Sequence, residues 1–123
     1  MCAISLNFCT WEAENIKKFV CDLIEKHGTR SPFELCEKLD INILFVDLPD
    51  SVNGFFLNSQ SKKSILIKNT LSSRQKEKVC AHELAHALLH SCVNAVNFEE
   101  NNLGDIDALE KEANTFSKLL LRR

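Results

Sequence analysis

The sequence predicts an α+β fold: a small three-stranded sheet packed with about four helices. Three observations carry this reading. Apolar residues recur at helical spacing near both ends of the chain. Residues 41–68 are instead rich in β-formers and broken by turn residues. A capped helix then follows directly on the last β-rich run. With 123 residues, 45% of them hydrophobic, the chain fits one domain, 1–123.

Taken in order, Thr10 is placed to cap a first helix, with Glu12 and Glu14 near its positive end. Ala13, Ile16, Val20, Leu23 and Ile24 supply its apolar face, and Gly28 its stop. His27 then sits on the surface near the helix end. Ser31-Pro32-Phe33-Glu34 is a capping box with proline at the first helical position, opening a short helix that ends near Leu39. Ile41-Asn42-Ile43-Leu44-Phe45-Val46 reads as a buried strand. Asp47 to Gly54 has turn chemistry. Phe55-Phe56-Leu57 and Ser64-Ile65-Leu66-Ile67-Lys68 are two further strands, joined as a hairpin by the polar turn Asn58 to Lys63. Ser72 or Ser73 caps a helix from Arg74 to about His90, and Ser72 has Gln75 three residues on, again a capping-box pattern. Ser91 to Gly104 is polar and irregular. A last helix starts near Asp105 or Asp107, and its stripe of Ile106, Leu109, Ala113, Phe116 and Leu120 packs on the core.

Composition excludes several classes. The net charge of −2 offers no basic surface to follow phosphates, and no helix-turn-helix is recognisable, so direct nucleic-acid binding is not expected. No apolar run is long enough to span a bilayer, and the N-terminus lacks a secretory signal, so a cytoplasmic protein without membrane contact is expected. The cysteines Cys2, Cys9, Cys21, Cys36, Cys80 and Cys92 form no Cys-x-x-Cys clip, and in that compartment they act as reduced, small hydrophobes.

The chemistry concentrates in His82-Glu83-Leu84-Ala85-His86, on the apolar side of the capped helix. Residues i and i+4 differ by about 40° in direction and about 6 Å in height, so both imidazoles face one ion. Zinc accepts imidazole and takes four ligands in a tetrahedron. Glu83, about 100° around from His82, flanks the ion and takes a proton from the attacking water. A catalytic zinc needs a third protein ligand and one open position. His90 cannot be that ligand, because it lies about 12 Å along the axis from His82. It reads as a helix-end residue beside the site. Glu110 and Glu112 flank the apolar stripe of the last helix, one on each side, and periodicity does not choose between them. Two histidines and a carboxylate also suit Fe(II) or Mn(II).

HELAHALLH, followed by Glu110-Lys111-Glu112-Ala113-Asn114-Thr115-Phe116 and then Leu119-Leu120, resembles the ImmA/IrrE family of metallopeptidases. So does the strand Ile65-Leu66-Ile67 running into Asn69. The resemblance covers roughly residues 10–121, and its specific part is 64–121. Ala85 stands where the family has glycine, and Leu121-Arg122-Arg123 replaces a Met-Pro ending. The resemblance implies a zincin-like domain whose Zn2+ ligands are His82, His86 and Glu110, with Glu83 as catalytic base. It makes Asn114 a residue that orients a ligand. It implies an anti-repressor of a prophage or integrative element, a site-specific endopeptidase that cleaves or inactivates a helix-turn-helix repressor. A metal-containing regulator that binds the repressor without cutting it is the alternative. The chain has no tyrosine to stabilise the oxyanion, so His90, a backbone N–H of the hairpin edge, or the 91–104 loop are the candidates.

Overall fold

Helix α3 (Ser73–Leu89) runs through the interior of the molecule, a computed structural model describing residues 11–59, 62–90 and 103–122. Around it lie α1 (Ala13–His27), α2 (Pro32–Lys38), β1 (Ile41–Val46), β2 (Gly54–Ser59), β3 (Lys62–Lys68) and α4 (Leu103–Leu121). This is the α+β arrangement expected. The sheet order is β1-β3-β2, with β1 parallel to β3 and β2 antiparallel to it, so the hairpin is as expected and β3 is central. Helix α3 packs against β2, β3 and α2 on one side and against α4 on the other, while α1 packs on α4. That position explains why apolar residues surround α3 rather than forming one stripe. Cys80, Ala81, Leu84, Ala85, Ala87 and Leu89 are all buried.

The helix ends follow local chemistry. The Ser72 hydroxyl accepts from the Gln75 backbone N–H at 3.2 Å while the Gln75 side chain accepts from the Ser72 N–H at 3.1 Å, a complete capping box. At α2 only half of the expected box forms. Ser31 accepts from the Glu34 N–H, but the Glu34 carboxylate accepts from the Thr29 hydroxyl instead of the Ser31 N–H. Thr29 stands in for it by accepting from Ser31 N at 3.0 Å. Helix α1 opens with Glu12 at the N-cap and no side-chain cap bond, so the cap expected of Thr10, which lies outside the described residues, is displaced by two positions. Gly28, at φ 70°, closes α1 by donating its N–H to the Ile24 carbonyl at 2.7 Å. Helix α4 begins at Leu103, earlier than expected. Arg30 donates to its Leu119 and Leu120 carbonyls, satisfying the C-terminal end.

One expectation fails. Strand β1 is an edge strand, not a buried one: of its six residues only Ile41 is buried, and Leu44 and Phe45 are 49% and 47% exposed. The pleat sends Asn42 and Leu44 to the exposed face, and at the sheet edge Phe45 on the opposite face is left half open as well. Phe45 recovers part of its cover from Phe33, 6.2 Å away, and from the Lys76 ammonium, 5.2 Å from its ring centre.

The core joins Ile16, Val20 and Leu23 of α1, Leu35 and Cys36 of α2, Ile65 and Ile67 of β3, and Ala113, Phe116 and Leu120 of α4. Cys36 and Cys80 are free thiols with sulfurs 4.0 Å apart, and this contact, together with burial, raises the Cys80 pKa. Cys2, Cys9 and Cys92, Ile106's side chain and most of the 91–104 loop lie outside the described residues. Among those described, no helix is long and apolar enough to cross a membrane.

Gly54 holds β2 against both neighbours. A Cβ there would stand 2.6 Å from Val79 Cγ1 and 2.7 Å from the Leu66 carbonyl oxygen. The valine can rotate, but the carbonyl belongs to the paired central strand. Gly54→Ala is expected to destabilise the protein by about 1–3 kcal/mol, read as a lower urea midpoint.

Candidate metal centre

The two histidines of the motif lie one turn apart on α3, with ring centroids 5.0 Å apart and planes at 78°. Helix α4 crosses beside them and supplies Glu110. Its Oε1 is 2.8 Å from His82 Nε2 and its Oε2 is 3.0 Å from His86 Nε2. One donor atom from each of the three residues falls within 4.8 Å of the others. The donor set suits a divalent ion, because tetrahedral bonds of about 2.0–2.1 Å place ligand atoms about 3.3 Å apart. The rings are shielded, at 22% and 18% exposure, whereas the carboxylate is 47% exposed and leaves the cluster open on one side.

The charges are organised around Glu110. Hydrogen bonds from His82 and His86 hold its carboxyl well below the usual carboxylate range. Burial opposes a charge on His82, but the bond to Glu110 and its negative charge outweigh burial and raise the pKa. Glu83 behaves oppositely: burial raises its pKa against the lowering influence of both imidazoles. It opens with His82 onto a cleft of about 580 Å³, whose walls include Asn53 and Gly54 at the start of β2 and Asn114 on α4. Asn114 lies one turn beyond Glu110 and adds a minor hydrogen-bonding contribution to the upward shift of His82.

Glu112 does not join the cluster. Its Oε1 is 2.7 Å from His90 Nε2 and its Oε2 accepts from the Trp11 backbone N–H at 2.9 Å. The two carboxylates that periodicity left open thus occupy different places, Glu110 against His82 and His86 and Glu112 against His90 and Trp11. His90, at the C-cap of α3, is 3% exposed. Its Nδ1 is 3.1 Å from His86 Nδ1 and its Nε2 meets Glu112, so both nitrogens are engaged and neither is free for an oxyanion. Its place is behind His86, away from the cleft. Burial lowers the His90 pKa, against the raising influence of Glu112. Trp11 escaped the sequence reading. Its indole N–H donates to the Leu89 carbonyl at 3.0 Å, and no local spacing announces contacts across most of the chain length.

A helix bearing His-Glu-x-x-His, crossed by a second helix that brings a glutamate and bordered by an edge strand, is the framework of a metallopeptidase domain. Comparison with known proteins agrees. The peptidase family described as the IrrE N-terminal-like domain matches residues 36–122. Uncharacterized immunity region protein 2 of Bacillus phage phi105 is 38% identical over 106 residues, 86% of this chain and 67% of the relative. Metallopeptidase ImmA of Bacillus subtilis (strain 168) is 31% identical over 113 residues, 90% of this chain and 65% of the relative. The chain thus spans about two thirds of the length of both relatives. It belongs to the ImmA/IrrE family of metallopeptidases. Membership implies a divalent metal and a protein substrate.

The geometry separates the two glutamates in a metal analysis. Glu110→Ala is expected to abolish stoichiometric binding of added zinc or cobalt, whereas Glu112→Ala retains the ion at reduced affinity. Equal retention by both variants would remove Glu110 from the cluster.

Proposed function

We propose that the protein is a zinc-dependent endopeptidase that cleaves, and so inactivates, a helix-turn-helix repressor of a prophage or integrative element. The observation that carries the reading is the convergence of His82, His86 and Glu110, with Glu83 beside them on an open cleft. His82, His86 and Glu110 would hold the ion, which when bound polarises the scissile carbonyl and acidifies water. Glu83 receives the proton of the attacking water and passes it to the leaving amine. The burial that lifts its pKa makes it the stronger base.

The cleft suits an extended chain. Strand β2 is a sheet edge, and its first residues border the cleft, so a substrate segment can pair with its free backbone groups. Lys78, Lys118 and Arg122 line the same cleft and favour acidic side chains in that segment. The immunity-region relative of a phage supports a repressor as the substrate, and a repressor places the reaction in the cytoplasm.

The test is to mix purified protein, loaded with zinc, with the repressor encoded beside it. Cleavage at one site is expected, and an intact repressor would count against the proposal. Glu83→Gln is expected to slow cleavage by about 10²–10⁴-fold while zinc content and thermal midpoint stay unchanged. Undiminished repressor inactivation by this variant would favour a partner that binds without cutting.

A further inference from the structure

We infer that His90 and Glu112 form a positioning relay that fixes the orientation and tautomer of His86. The inference rests on the metal reading above and deepens it. His86 points Nε2 at Glu110 and Nδ1 at His90, 3.1 Å from the Nδ1 of that ring. Two facing ring nitrogens share one proton, so one donates and the other accepts. The opposite side of His90 decides which. Its Nε2 stands 2.7 Å from a Glu112 oxygen, and an ionised carboxylate only accepts. Nε2 of His90 therefore carries a hydrogen. In the uncharged form of this buried ring, its Nδ1 is left with a lone pair. His86 must then hold a hydrogen on Nδ1; its Nε2 donates to Glu110 in the ion-free arrangement, and once an ion takes that place the hydrogen kept on Nδ1 leaves Nε2 as the lone pair that binds a metal.

The relay is anchored at its far end. The second oxygen of Glu112 accepts from the Trp11 backbone N–H, which fixes the carboxylate. His90 and Glu112 are 3% and 11% exposed, so water competes little for these bonds. The Trp11 indole bonds to the Leu89 carbonyl, one residue before His90, and braces the end of α3 on which the relay depends. Metal-binding histidines are commonly steadied by a carboxylate on their other nitrogen. Here a second imidazole, that of His90, lies between His86 and the Glu112 carboxylate.

The test compares His90→Phe, His90→Asn and the unaltered protein. Zinc affinity is measured by competition with a chromophoric chelator, and the fold of each metal-free form by circular dichroism and thermal melting. His90→Phe fills the space but removes the acceptor, and its zinc affinity is expected to fall by about 10–100-fold. His90→Asn places Oδ1 where Nδ1 stood and is expected to recover most of that loss. A packing role would rank them the other way, because asparagine leaves a cavity that phenylalanine fills. Affinity unchanged in His90→Phe, or lower in His90→Asn than in His90→Phe, overturns the relay alone. Should His90→Phe not fold, Glu112→Gln takes its place, with a smaller drop in affinity expected and no drop overturning the relay. Absence of stoichiometric zinc in the unaltered protein overturns the metal reading, and the relay with it.

Discussion

The packing of α4 across α3 is the constraint on which the site depends. Glu110 lies 28 positions beyond His82, so no local rule brings them together. The two helices meet through residues that are fully buried on both sides. Ala81, Ala85 and Ala87 on α3 and Ala113, Phe116 and Leu120 on α4 are all buried in the one core that these helices share. A close-packed core transmits changes in side-chain volume, so the bonds of Glu110 depend on how α4 seats through Phe116 and Leu120. The chemistry of the cluster thus depends on the packing of apolar residues around it.

The same packing gives two carboxylates opposite environments. Glu110 reaches solvent and is held ionised by two imidazoles. Glu83, next to His82 in sequence, is pushed toward neutrality by burial. A carboxylate that stays charged suits a ligand, and one whose basicity is raised suits proton transfer. Divergent environments around like groups are a general way to divide such roles. None of this leaves a polar side chain stranded: among the described residues, every buried side-chain nitrogen and oxygen has a partner. Burying these groups works against stability unless each is bonded, which confines the polar chain to positions where α3, α4 and Trp11 meet.

Much of this was legible in the sequence, for reasons that are local. The capping box at Ser72, the glycine stop at Gly28 and the i, i+4 histidines depend on residues within a turn or two of each other. The β1 boundaries were legible as well, because turn residues bound the run. Its burial was not, since a short apolar run does not reveal whether its strand lies at an edge or how many faces are covered. Glu34 shows the same limit at a smaller scale, where Thr29, outside the four-residue box, takes its carboxylate. His90 was visible as a further i+4 step from His86, but the partner that gives it meaning lies on another helix.

Glu110 and Glu112 flank the apolar stripe of α4 on opposite margins, and that symmetry, which defeated periodicity, is what locks the helix in rotation. One margin is tied to His82 and His86, the other to His90 and Trp11. Turning α4 toward either side would stretch one set of bonds while compressing the other, and the buried stripe between them would lose its fit. An ion held by His82, His86 and Glu110 would tighten the first margin, and His86 would transmit that order through His90 to the second. Ligand binding that selects one arrangement of packed elements stabilises that arrangement by mass action. The His82-His86-Glu110 cluster and the apolar core are therefore one cooperative unit rather than a site placed on a finished scaffold. The helix that carries Glu110 to the two histidines is the helix that the cluster itself helps to hold.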